Sequence, residues 1–141
     1  MSRVMSLRLQ DSQIERLNRA ARRLGRTPSE TAAILLEEAL RQREFAFIEF
    51  RDSPVGRQAY LQGTRLTVWQ IEWLARVYGR DVDRVAEHLS LPPVQVAAAL
   101  HYAEAYPQEV EDAINDNEWA ADNIQRLIPG IEIYRVGEVS T

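Results

Sequence analysis

The chain has no cysteine. That excludes a disulfide framework, a thiolate nucleophile and thiolate zinc sites. It also lacks lysine, so all 17 basic residues are arginine. With 6 glycines and 6 prolines in 141 residues it is neither collagen-like nor of low complexity. No apolar run approaches the roughly 18–20 residues needed to cross a bilayer. Residues 1–10 alternate rather than forming an apolar block, so they do not read as a signal peptide. Neither a glycine-rich phosphate loop nor a nucleophile elbow occurs. The two histidines, His88 and His101, have no His or Cys at ligand spacing; His88 reads as a charge complement at a helix C-terminus. Asp81, Asp83 and Glu87 read as helix-start and surface charges. The expectation is a cytoplasmic protein with no catalytic site, cofactor, metal or membrane contact, long enough for one ordinary domain or two very small ones.

What is present is unevenly distributed. The net charge is −4. Residues 1–44 hold nine Arg against six carboxylates, residues 45–103 six of each, and residues 104–141 only Arg126 and Arg135 against nine carboxylates. A basic front and an acidic end point to two partners of opposite charge.

In Arg3–Leu9, Met5, Leu7 and Leu9 fall on one face and Val4, Ser6 and Arg8 on the other, the period of a half-buried strand. A helix capped by Asp11 or Ser12 follows, with Ile14, Leu17, Ala21 and Leu24 as its apolar face and Gly25 as its stop. Thr27-Pro28-Ser29-Glu30 reads as a capping box opening a second helix to about Glu44, with Ala32, Leu35, Leu36, Ala39 and Leu40 as its stripe. A lone strand and two short helices cannot bury enough apolar surface. Two copies pairing their strands antiparallel would, with Met5, Leu7, Leu9, Leu17, Leu35 and Leu36 in the shared core.

This order of elements over residues 3–44 resembles the ribbon-helix-helix family of DNA-binding proteins, whose two-stranded ribbon enters the major groove. The resemblance implies a homodimer on double-stranded operator DNA. Its base contacts would come from Val4, Ser6 and Arg8, with Arg8 bidentate to guanine; Val4 stands where the family often has a polar residue. Arg3 would meet backbone phosphate. Arg26, Thr27 and Ser29 would hold another phosphate at the N-terminus of the second helix. The same ribbon can also serve dimerisation alone.

Residues 45–56 read as a linker docked through Phe47, Ile48 and Phe50. A β-hairpin is expected over 57–68 with its turn at Gln62-Gly63. Helices are expected from Val68 to Tyr78, from an Asp81 cap to His88, and from Pro92-Pro93 to about Ala105. The last two have helix-turn-helix spacing, with Ala86 at the close contact, Ser90 in the turn, and Val96 and Leu100 in the core. The outward positions Gln95, Ala97, Ala98, His101 and Glu104 include no Arg, which is poor for an anionic groove. Gly63-Thr64-Arg65-Leu66-Thr67-Val68 and His101-Tyr102-Ala103 resemble a bacterial domain family of unknown function, number 433, over about residues 56–105. That family often accompanies genes for PIN-like ribonuclease toxins, so the resemblance implies an antitoxin that neutralises such a toxin. Arg65 either bonds hairpin carbonyls or meets a partner.

After a helix from Pro107, Asn117 reads as the cap of a further short helix to Ile128 with Trp119, Ala120, Ile124 and Leu127 on its apolar face. Pro129-Gly130 breaks it, and Ile131–Val136 is strand-like. Trp119, Ile124, Arg126, Leu127, Ile131, Ile133, Tyr134 and Arg135 would bind a small ribonuclease toxin by helix-in-groove and strand addition. Arg126 or Arg135 would enter its carboxylates. Packing back on the middle domain is the alternative.

The expected fold is mainly α with short β. A ribbon-helix-helix unit (1–44) and docked linker (45–56) precede a hairpin and helix-turn-helix-like domain (57–116) and a partner-binding tail (117–141). The expected function is an autorepressing antitoxin; a repressor without a toxin and an assembly scaffold are the alternatives.

Overall fold

The computed structural model describes residues 1–127, with side chains through Glu118. It is mainly helical with one small antiparallel sheet: α1 (Asp11–Leu24), α2 (Pro28–Glu44), β1 (Ile48–Ser53), β2 (Gly56–Leu61), α3 (Val68–Val77), α4 (Val82–Leu89), α5 (Pro93–Ala105) and α6 (Pro107–Leu127). The chain divides into two compact units, residues 1–41 and a second beginning at Gln42. Among the described residues no helix is long and apolar enough to cross a membrane.

In the first unit, residues 1–10 form no regular element. An extended segment needs a ladder partner, and within one chain this one has none. The cap of α1 is Gln10, not Asp11 or Ser12. Gln13 Oε1 accepts the Gln10 N–H at 2.9 Å and the Gln13 N–H donates to the Gln10 carbonyl at 2.9 Å, so the helix is capped one residue earlier than expected. Gly25, at φ 66°, closes the helix in the left-handed region that glycine occupies without cost. Thr27 Oγ1 accepts the Glu30 N–H at 3.1 Å and starts α2. Thr27→Ala should therefore cost the first unit about 1 kcal/mol, read from its hydrogen-exchange protection.

The second unit has one apolar core, in which Leu61, Val68, Ile71, Val85, Val96 and Tyr102 are the largest fully buried side chains. Its hairpin differs from the sequence expectation. Residues 48–53 are not a linker but strand β1, paired with β2 from Ile48↔Leu61 to Ser53↔Gly56. Ile48, Phe50, Ala59 and Leu61 share the core-facing side of this ribbon, while Arg51 covers the Tyr60 ring at 4.6 Å on the other. Pro54 sets the turn, and Gly56 at φ 109° rejoins the strand. The turn at Gln62-Gly63 also exists, but it returns the chain for a single bridge, Tyr60↔Thr67. The reason is local. Thr67 Oγ1 accepts the Gln70 N–H at 3.2 Å and Gln70 Oε1 accepts the Thr67 N–H at 2.9 Å, so a capping box ends any strand there and begins α3.

Helix α4 starts as expected on Asp81, whose carboxylate accepts the Asp83 and Arg84 N–H groups. Ser90 at φ 54° turns the chain into α5, and Ala86, Val96 and Leu100 are buried where the two helices meet. No new helix begins at Asn117: α6 runs unbroken to Leu127. Its apolar positions Val110 and Ile114 already lie in the core, so the helix has no reason to stop.

Candidate functional site

Each unit carries a surface that can recognise a partner. In the first, the residues expected to read DNA lie in the N-terminal segment: Arg3, Val4, Ser6 and Arg8 are all exposed. At the N-terminus of α2, Arg26, Thr27 and Ser29 are exposed too, but part of that site is engaged. Pro28 has no N–H, Thr27 caps Glu30, and the Glu30 carboxylate lies 3.8 Å from the Arg26 guanidinium. What an anion would find free is the Ser29 N–H and hydroxyl.

The apolar residues of this unit are placed oddly for a single chain. Met5 is 79% exposed, Leu7 69% and Leu9 41%. In α2, Leu35, Leu36 and Leu40 face solvent while Thr31 and Glu38 are buried, the reverse of the usual partition. Leu17 is half-buried, and Ala21 is the one apolar side chain of the unit that is fully buried. A set of residues laid out as a core thus lies uncovered.

In the second unit a groove of about 550 Å³ opens between β2, the start of α3 and α6. Phe50, Tyr60, Trp69 and Tyr102 give it aromatic walls; Glu109, Asp112 and Asp116 of α6 give it an acidic one. At its base the Tyr102 hydroxyl donates to Glu109 Oε2 at 2.6 Å. The Trp69 indole N–H is buried with no hydrogen-bond partner among the described residues. Arg65 lines the groove, exposed and with no hydrogen bond to the turn among the described residues. The structural role falls to Arg51, whose Nη2 donates to the Thr64 carbonyl at 2.6 Å, and to Thr64, whose hydroxyl donates to the Leu61 carbonyl at 2.8 Å.

Sequence reading missed a charge chain on this unit. Glu72 of α3 is buried against Arg76 and Arg80; Arg80 continues to Glu104 of α5 at 2.8 Å and Arg76 to Glu111 of α6 at 2.6 Å. The hydrogen bond that Arg76 donates to Glu111, outweighing burial, holds its guanidinium above its usual pKa. The Glu72–Arg76 spacing of four was a signal for one link. Nothing local marked Arg80, which reaches Glu72 only because it adopts φ 61° after Gly79.

His88 Nδ1 lies 2.7 Å from the Tyr78 hydroxyl, and the His101 ring packs on Phe45 at 5.3 Å. Among the described residues no three His, Cys, Asp or Glu side chains are grouped to hold a metal ion. Of the residues expected to bind a toxin, Trp119, Ile124, Arg126 and Leu127 lie on the last stretch of α6, beyond the described side chains. Ile131, Ile133, Tyr134 and Arg135 lie outside the described residues. Comparison with known protein families, with characterised proteins and with solved structures finds no match to this chain.

Proposed function

We propose that the chain is a homodimeric DNA-binding repressor and the antitoxin of a nuclease toxin. The observation that carries the dimer is the uncovered apolar set of the first unit. Met5, Leu7, Leu9, Leu35, Leu36 and Leu40 are exposed on a unit that buries Thr31 and Glu38 instead. A second copy supplies the missing strand and the missing core together. The resemblance of residues 3–44 to ribbon-helix-helix proteins and their excess of Arg support operator DNA as the ligand, with Arg3, Val4, Ser6 and Arg8 facing it. The acidic balance of residues 104–141 suits a basic, RNA-binding partner, and the similarity of the Gly63–Val68 motif to family 433 supports a toxin in that role.

The test is operator binding at fixed salt together with co-expression with the product of the adjacent gene. Arg8→Ala should leave the dimer intact in sedimentation and remove about 1–3 kcal/mol per base contact, at least a tenfold loss of operator affinity. An unchanged affinity removes Arg8 from the interface. Unrelieved toxicity on co-expression removes the antitoxin half of the reading. A second reading is favoured by the groove of the second unit: a repressor in which that groove takes a small ligand. It predicts operator release by a metabolite, with no protein partner needed.

A further inference from the structure

Among the described residues, a basic surface also lies outside those that a ribbon would use. Helix α1 carries Arg16, Arg19, Arg22 and Arg23 against Asp11 and Glu15, and all six are exposed. None of the four arginines has an ion-pair partner among the described residues. At 3.6 residues per turn, Arg16, Arg19 and Arg23 fall within about 60° of arc and span about 10 Å of axis. Neither carboxylate of the helix falls within that arc. The opposite face carries Ile14, which is exposed, and Leu17, Ala21 and Leu24, which are buried or half-buried. The helix is thus held by one face and presents three unneutralised guanidiniums on the other.

The geometry points to this stripe as a second, sequence-independent contact to duplex DNA, made to the phosphate backbone alone. The inference rests on the DNA-binding reading above and adds to it a surface outside the N-terminal segment. Phosphates advance by about 3.4 Å of axis per strand and lie further apart along the backbone, so three long side chains splaying from a stripe of about 10 Å can reach one phosphate each. Guanidinium suits them because its planar fork bonds phosphate oxygens two at a time. An anionic membrane surface fits less well. A helix lying in a bilayer interface must give its apolar face to lipid, and most of that of α1, Leu17, Ala21 and Leu24, is engaged in packing. Residues 1–44 also contain no aromatic residue to sit at the headgroups.

The test compares two triple variants of the full chain that lose the same charge. One is Arg16→Gln/Arg19→Gln/Arg23→Gln; the control, Arg22→Gln/Arg43→Gln/Arg84→Gln, spares the stripe. The probes are an operator duplex and a scrambled duplex of equal length, titrated across salt concentrations, with helicity and sedimentation confirming fold and dimer. For the stripe variant, affinity should fall by the same factor on both duplexes. Its plot of log Kobs against log salt should be shallower by about 5 per dimer, the counterion release of six contacts. The control should change the slope by less than half as much. Equal flattening in both variants, or an unchanged slope in the stripe variant beside an intact operator preference, overturns the stripe and leaves the DNA-binding reading standing. No binding of the parent to either duplex overturns both. Stripe-dependent capture by phosphatidylserine vesicles with no effect on DNA assigns the surface to a membrane and overturns the proposal.

Discussion

Leu7→Asp is expected to sediment as a monomer at micromolar concentration, where the parent sediments as a dimer. Leu7 is the central residue of the alternating face formed with Met5 and Leu9, and it is 69% exposed in one chain. If a second copy covers it, the substitution removes a buried leucine and places a carboxylate in an apolar seam, once per protomer. Lost burial and the cost of an unpaired charge together exceed about 3 kcal/mol per copy. At roughly 6 kcal/mol per dimer the dissociation constant rises by more than four powers of ten. The first unit, with Ala21 its one fully buried apolar side chain, should lose its helices as the dimer dissociates. The second unit should not, because its core draws on residues from Ile48 to Ile114. The two outcomes can be read separately, since Trp69, Trp73 and Trp119 all lie in the second unit. Helicity should fall while tryptophan fluorescence keeps its native wavelength. A dimer that survives the substitution, or a parent that is a well-folded monomer, removes the shared core on which the DNA-binding reading stands.

How far the sequence could be read depended on whether the deciding interaction was local. Caps are local, and Gly25, Thr27, Asp81 and Ser90 stand where their residue types and spacing placed them. The hairpin was not decided locally. Two stretches alternate, 48–51 and 57–61, and a third candidate at 64–68 carried the more conspicuous glycine turn. The choice between them was made by Thr67 and Gln70, whose reciprocal bonds are worth more to a helix start than one further pair of ladder bonds is to a short strand. Asn117 misled for the opposite reason. Asparagine is a good cap only where the preceding turn is not already held, and Val110 and Ile114 anchor the helix that runs through it.

The candidate sites divide in the same way. Val4, Ser6 and Arg8 are exposed, but so are Met5, Leu7 and Leu9, so exposure in one chain does not separate the two faces that alternation marks. The groove of the second unit was not visible in the sequence, because its lining runs from Phe50 on β1 to Asn117 on α6, through β2, α3 and α5. The arginine stripe of α1 was visible but went unused, since counting charge over residues 1–44 conceals which face of which helix carries it. Net charge says that a polyanion is favoured; helical phase says where it would sit.

The largest effect expected in the second unit comes from Glu72, whose side chain is 8% exposed. Its two arginine partners each continue outward, Arg80 to Glu104 and Arg76 to Glu111, so one buried carboxylate joins α3 to both α5 and α6. The outer links are weak on their own: Glu104 is 64% and Glu111 42% exposed, and exposed pairs contribute about 0–1 kcal/mol. The central link is different, because Glu72→Ala leaves two neighbouring guanidiniums facing each other beside a cavity. Breaking a buried pair costs about 3–5 kcal/mol. Arg76 and Arg80 can turn partly to water, being 43% and 35% exposed, which sets the expectation at the lower end, about 3 kcal/mol. For a unit of this size that lowers the melting temperature by roughly 12–24 °C, followed by tryptophan fluorescence. Glu72→Gln keeps the volume and one acceptor oxygen, so its loss should fall between those of Glu72→Ala and the parent. Glu104→Ala and Glu111→Ala should each stay within about 1 kcal/mol. If Glu72→Ala unfolds within 2 °C of the parent, the chain of charges is ornament on a core that holds α3, α5 and α6 together by packing alone.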